Sequence, residues 1–231
     1  MSAGARSGTL EEGQVRAMFD RIAGPYDLMN SVMTAGLHHR WRERAVDLAR
    51  VGPASRALDV ATGTGDLAIE LASRGATVVG SDFSEGMLDV ARRKSPALQW
   101  EQGNALALPY EDGTFDAATV GFGARNFSDL PQGLREMARV VRPGGRVVVL
   151  EITTPQKPPL STFFSLWFDR IVPLLGKLAA EPEAYTYLPS SVKRFPAPQA
   201  LGAELVAAGL TDVRWILTAG GIIALHSGTK V

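Results

Sequence analysis

The sequence contains no cysteine. A thiol nucleophile, an iron–sulfur cluster, a cysteine-held zinc and a disulfide framework are all excluded, which suits a reducing cytoplasm. Lysine is scarce, five against nineteen arginines, yet 24 basic residues meet 24 acidic ones. There is no broad positive field to neutralise phosphates, so nucleic acid is not an expected partner. The three histidines, His38, His39 and His226, do not share metal-ligand spacing, and no metal is expected. No long hydrophobic run is present either. The longest apolar stretch, 158–180, is interrupted by Asp169, Arg170 and Lys177 and would be kinked by Pro173, whereas a spanning helix needs about 20 predominantly apolar residues. The first residues are small and polar, without the apolar core of a signal peptide. Residues 1–14 are read as a disordered arm. No internal repeat is evident.

What remains is an ordinary globular composition. The chain has 231 residues, 45% hydrophobic and 21% charged, enough to bury roughly two-thirds of its unfolded surface in one core. An arginine-rich helical cap is expected at 15–50. Strand and helix patterns then alternate over 51–231. Residues 56–61 (RALDVA) read as a first strand, 65–74 as a helix, 76–82 as a second strand, and a helix capped by Ser84 runs to about Lys94. Strands at 97–102 and 115–121, a helix at 130–141 halted by Pro143-Gly144-Gly145, and a fully apolar strand at 146–152 follow. This alternation predicts an α/β fold with a doubly wound parallel sheet. After a helical insertion at about 158–196 and a helix at 198–209, two closing strands, 211–217 and 221–227, are separated only by Ala219-Gly220. Strands joined so tightly pair antiparallel. One antiparallel strand near the end of a parallel sheet is the pattern of class I methyltransferases, whose sheet has seven strands.

The chemistry gathers where the first strand gives way to a helix. Asp59-Val-Ala-Thr-Gly63-Thr64-Gly65-Asp66 places glycines where a ligand backbone can approach, at the carboxyl edge of the sheet. Gly63-x-Gly65-x-x-Ala68, with Asp82 about twenty residues on, also satisfies a dinucleotide fingerprint. Asp82 ends the second strand and can accept from both ribose hydroxyls, which fits NAD and S-adenosylmethionine equally; a helix cap is its alternative. Three features favour S-adenosylmethionine. Asp59 inside the first strand is a costly buried acid unless it meets polar groups or a cation, and a sulfonium cofactor with an amino-acid tail provides one. Asn104, in Gly103-Asn104-Ala105, can donate to an adenine ring nitrogen and accept from its amino group, or form only an Asx turn. Arg142-Pro-Gly-Gly145 is a turn common among methyltransferases. The cofactor residues expected are Asp59, Gly63, Thr64, Gly65, Asp82, Asn104, Ala105 and Gly121.

The segment Tyr26-Asp27-Leu28-Met29-Asn30 with Ser31, Thr34, His38 and Trp41 resembles a signature of the ubiquinone/menaquinone biosynthesis C-methyltransferase family. Arg139-Val-Val-Arg-Pro-Gly-Gly145 is similar to its second signature. Phe122-Gly-Ala-Arg125-Asn126, Ala184-Tyr-Thr-Tyr-Leu-Pro189 and Gly220-Gly-Ile-Ile-Ala-Leu-His226 also resemble family segments. Thr34 and Arg142 stand for Ser and Lys and keep the hydroxyl and the charge. Gly121 stands where the family usually has a cofactor-binding Ser. The resemblance spans about residues 15–230. It implies methyl transfer from S-adenosylmethionine to a ring carbon of a polyprenylated quinol, with Thr64, Asp82, Asn104 and Ala105 at cofactor positions. It also implies catalytic roles for Arg125, stabilising a developing phenolate, and for Asn126 and Tyr26, orienting the ring. A surface salt bridge for Arg125 and core packing for Tyr26 are the alternatives. Demethylmenaquinol to menaquinol is the first expectation, and the benzoquinol step toward ubiquinone, or both, the second. A silent cofactor-binding subunit and an NAD-dependent oxidoreductase are rivals from other classes, although no Tyr-x-x-x-Lys pair supports the latter. The apolar stretch at 161–178 reads as core, as a homodimer face, or as a lip for the isoprenoid tail with peripheral membrane contact.

Overall fold

The computed structural model describes residues 12–24, 26–34, 36–155, 158–166, 170 and 182–231. Three helices come first: α1 (Glu12–Ile22), α2 (Tyr26–Thr34) and α3 (His38–Ala49). The 15–50 segment is therefore broken, with Gly36 at φ 75° making the second turn, a backbone angle that favours glycine. Helix α1 begins inside the 1–14 stretch read as an arm, of which 1–11 lie outside the described residues.

The alternating part follows as β1 (Arg56–Val60), α4 (Asp66–Ser73), β2 (Thr77–Asp82), α5 (Glu85–Lys94), β3 (Gln99–Gln102), β4 (Phe115–Gly121), α6 (Leu130–Val140) and β5 (Val141–Ile152). Then come α7 (Leu160–Leu166), α8 (Pro182–Arg194), α9 (Pro198–Ala207), β6 (Leu210–Thr218) and β7 (Ile223–Lys230). Most of the apolar helix expected at 161–178, including Trp167, Phe168, Ile171 and Leu174, falls outside the described residues.

The strands form one sheet in the order β3-β2-β1-β4-β5-β7-β6, parallel except for β7, which runs antiparallel to both β5 and β6. Period-two alternation explains why its central strands are apolar on both faces. Leu58, Val60, Val147 and Val149 meet α6 and α9 through Leu134, Met137, Leu201 and Leu205. Ala57, Val148 and Leu150 point the other way, toward Leu67 and Leu71 of α4 and Ala45, Val46 and Ala49 of α3. Helix α3 is thus part of the core layer as well as the cap.

Local signals place the helices. Ser84 Oγ accepts from Met87 N at 3.2 Å and caps α5, and Asp129 Oδ1 accepts from Gln132 N at 2.9 Å and caps α6, each orienting an otherwise orphan amide. The expectation of a helix to residue 141 and a strand from 146 is corrected. Helix α6 stops at Val140 and β5 begins at once, because residues 142–145 bulge out between the pairs Phe115–Val141 and Ala117–Arg146. Gly144 at φ 80° makes the bulge. The Arg142 Nε donates to Asp116 Oδ1 at 2.6 Å and holds it.

The switch in strand order falls between β1 and β4, so their carboxyl ends open a crevice. Its floor depends on a close approach. The Trp100 ring of β3 lies across Gly65 and Gly80, where an added Cβ would sit 2.4 Å from ring carbons. We expect Gly80→Val to lose about 2 kcal/mol of stability through overpacking. In a Trp100→Ala background the same change costs markedly less, a coupling of about 1 kcal/mol or more in a denaturation cycle; strict additivity would contradict the packing.

Candidate active site

The crevice is a cleft of about 950 Å³, counting its open mouth. The turns after β1, β2, β3 and β4 build it. After β1 the chain runs through Ala61, Gly63 and Gly65 at positive φ. Gly65 N closes the turn on Thr62 O at 3.0 Å. Asp82, 5% exposed, holds two turns at once. Its Oδ2 accepts from Gly63 N at 2.8 Å and its Oδ1 from Ser84 N at 2.9 Å. Ser84 being the cap of α5, the capping alternative for Asp82 lapses. Each carboxylate oxygen keeps a second lone pair for a ligand. Asp59, 1% exposed, accepts from Thr62 Oγ1 and Thr119 Oγ1, both at 2.6 Å. Burial pushes Asp59 up to about 6, against the pull of Thr119, Thr62 and Arg42. Burial likewise pushes Asp82 up to about 6, against the amides of Ser84, Gly63 and Phe83 and with help from Asp20.

Of the expected cofactor residues, Asp59, Gly63, Thr64, Asp82, Asn104, Ala105 and Gly121 line this cleft. Gly65 does not; it sits beneath, against Trp100. Asn104 forms the Asx turn, its Oδ1 accepting from Leu106 N at 2.9 Å, so its amide NH2 is the half left to donate. An added Cβ at Gly121 would lie 3.0 Å from Leu67 Cδ2. The leucine methyl fills the space beside this strand end. Thr64 Oγ1 donates to Asp27 Oδ1 at 2.5 Å, so α2 closes over the loop.

The cleft's wall also carries Tyr26 and Asn126. Tyr26 stands edge-on to Phe19 at 6.3 Å. Asn126 Oδ1 accepts from Tyr187 OH at 3.1 Å. Arg125 stands behind this wall, which corrects the surface-salt-bridge alternative. Its guanidinium donates to Phe122 O and, at 2.8 Å, to Glu151 Oε1. Glu151, 1% exposed, also receives Arg125 N at 3.3 Å. Burial disfavours the Arg125 charge, but Glu151, Tyr26 and Tyr187 outweigh it and hold its pKa above the ordinary value. Burial raises the Tyr187 hydroxyl despite Arg125 and Arg194. Phe122, at φ 60°, is strained into the left-handed region just before this motif, a cost tolerated where a site must be shaped.

Sequence reasoning missed several participants. Glu151 hid in a strand read as wholly apolar; a lone carboxylate at the carboxyl end of such a strand was the available signal. Tyr187 lay inside a quoted family segment without a role. Arg42, from α3, lines the cleft, with its Nη1 2.9 Å from Asp66 Oδ2. Asp66 also pairs with Lys94, which reaches Asp27 Oδ2 at 2.9 Å. Burial would raise Asp66, but Arg42 and Lys94 hold it below the usual carboxylate range. His38 is not in the cleft lining. It is buried, its Nδ1 2.6 Å from Thr34 Oγ1, and burial, Arg42 and His39 push it down to about 4. His226 is buried in β7, with Nε2 2.8 Å from Pro198 O.

The arrangement fits an adenosyl ligand with an amino-acid tail. An added Cβ at Gly63 meets nothing within 4 Å, so the loop faces open space. Asp82 offers acceptors for a ribose, Asn104 a donor for a base, and Asp59 a carboxylate beside the loop. Comparison with known proteins agrees. The ubiE/COQ5 methyltransferase family model matches residues 7–230. A demethylmenaquinone methyltransferase of Thermus thermophilus is 48% identical over 92% of this chain and 100% of its own. One from Deinococcus radiodurans is 46% identical over 95% and 94%. Among solved structures, an S-adenosylmethionine-dependent methyltransferase of Thermotoga maritima superposes with a TM-score of 0.68 at 19% identity, covering 94% of this chain and 99% of that one. The [4+2]-cyclase SpnF gives 0.69 at 19%, over 96% and 97%. These two show the fold, that of class I methyltransferases. With the family model covering almost the whole sequence, the chain belongs to the ubiE/COQ5 methyltransferase family.

Proposed function

We propose that this enzyme moves a methyl group from S-adenosylmethionine to a ring carbon of demethylmenaquinol, giving menaquinol. The observation that carries the reading is one cleft that Asp59, Asp82, Asn104, Tyr26 and Asn126 line together. The names of the relatives favour the naphthoquinol ring. When bound, the cofactor supplies a methyl already activated by its sulfonium charge. The protein has to align ring carbon and methyl and to ease loss of the hydroxyl proton. Ionised Asp82 takes the ribose hydroxyls and fixes the donor end. Asn126, its carbonyl held by Tyr187, presents its amide to the ring oxygen, and Tyr26 packs on the ring. Arg125, neutralised at one edge by Glu151, lends positive potential behind Asn126 where phenolate charge develops. Transfer would join the methyl to the ring carbon as the donor's carbon–sulfur bond breaks, leaving the neutral thioether S-adenosylhomocysteine, and the displaced ring proton would pass to water at the open mouth of the cleft. A prenylated ring resides in a bilayer, so the cleft must meet a membrane surface. Among the described residues no helix is long and apolar enough to cross one.

Methyl-labelled S-adenosylmethionine and chemically reduced demethylmenaquinone in detergent should yield label in the lipid fraction by mass spectrometry. No label, with the cofactor bound, would overturn the reading; label in the demethylated benzoquinol as well would widen it. Asn126→Ala should lower kcat by about ten- to a hundredfold and leave the dissociation constant of S-adenosylhomocysteine within about threefold. Acidification gives a second check. Asp59 and Asp82 titrate near 6 in the free protein and must be ionised to accept. Affinity for S-adenosylhomocysteine should therefore fall by about tenfold per group between pH 7 and 5, a shift that Asp82→Asn halves in logarithmic terms. The same raised values work oppositely on the empty protein. Its folded form holds protons that the unfolded chain releases near 4, so these groups' contribution to stability is largest below 4 and is lost as pH rises through 6.

A further inference from the structure

Every other charged side chain lining the cleft is a carboxylate: Asp59, Asp66 and Asp82. Arg42 is the single cation among the described lining residues. It reaches in from α3 with a side chain nine-tenths buried. Its Nη1 is within ion-pair range of Asp66 but misaligned, and it is one of three buried side-chain polar atoms with no hydrogen-bond partner among the described residues. A buried guanidinium N–H left unmade is costly. Asp66 has a second cation as well, because Lys94 is bound to the other oxygen of the same carboxylate. Arg42 also acts electrostatically on Asp59. It thus shares the cleft lining with an acid at the head of the glycine turn and pairs with an acid at the start of α4. A cation with a free donor, set beside a buried carboxylate, complements a zwitterion.

We propose that Arg42 is the anchor for the α-carboxylate of the cofactor's amino-acid tail, with Asp59 facing the ammonium of the same tail. The tail then satisfies the orphan Nη1, and α3 joins the cofactor to the cap. The inference rests on the cofactor and not on the identity of the acceptor ring.

The test is a cycle of ligand and side chain, read by calorimetry with no quinol present. The ligands are S-adenosylmethionine, its decarboxylated form S-adenosyl-3-methylthiopropylamine, and 5′-methylthioadenosine, which lacks the whole tail. The wild-type protein should prefer S-adenosylmethionine over the decarboxylated form by about thirtyfold, the worth of a charge-assisted hydrogen bond. Arg42→Met should reduce that preference to within about threefold while changing 5′-methylthioadenosine binding by no more than about threefold. Arg42→Lys should restore part of it. Equal weakening of all three ligands by Arg42→Met would make Arg42 a structural residue and overturn the proposal. So would full preference for the carboxylate surviving in that variant. Should Arg42→Met fail to fold, Arg42→Gln takes its place in the cycle with the same expected and contrary results, and equal wild-type affinities for the carboxylated and decarboxylated ligands would also overturn the proposal. Failure of methyl transfer to demethylmenaquinol would leave every one of these outcomes readable.

Discussion

The carboxylate of Asp82 is the constraint on which the site depends. With one oxygen it holds the amide of Gly63, in the turn after β1, and with the other the amide of Ser84, in the turn after β2. Two loops from neighbouring strands are thus fixed to each other through a buried charge. Burial raises its affinity for a proton, and the amides are what make ionisation affordable. On the proposed reading a ribose pair would complete a coordination already half built, with little reorganisation when the ligand enters. Ser84 continues the chain of dependence. Its hydroxyl donates to Asp20 Oδ1 at 2.6 Å, and Gly86 N donates to the same oxygen at 3.1 Å, which seats α1 on the start of α5.

The second wall is assembled by charge. Asp27 of α2, Lys94 at the end of α5, Asp66 at the start of α4 and Arg42 of α3 form an alternating chain of ion pairs across the glycine turn. None of these pairs need contribute much to stability where solvent reaches it. Their effect is positional: the cap helices are held over the loop by groups that surround Thr64. Behind the wall that carries Asn126 lies a buried pair, Arg125 and Glu151. Such a pair is poor support for stability and serves better as a device for fixing orientation. It holds the backbone after β4 in the strained turn that presents Asn126 to the cleft.

The strands and helices were legible because their periodicities were clean. Val147 to Leu150 alternate between two core layers, and the reversal of β7 followed from the short link at Ala219-Gly220. The boundary at Val141 was misread because Pro143-Gly144-Gly145 signals a stop, whereas in the structure it makes a bulge inside the ladder. The cleft lining at the strand ends was legible from local sequence, since strand-end acids and glycine turns are contiguous with the strands that place them. The rest of the site was less so. Glu151 and Arg125 are 26 positions apart, Asn126 and Tyr187 are 61, and no local pattern pairs them. Gly65 shows the converse: it matched a ligand motif, yet its lack of a side chain is required by Trp100.

The most direct test is a crystal structure with S-adenosylhomocysteine bound. Both ribose hydroxyls should lie on Asp82 with its bonds to Gly63 and Ser84 intact, and the base beside Asn104. A ligand seated outside the carboxyl ends of β1 and β2, or an Asp82 turned away from the ribose, would contradict this arrangement.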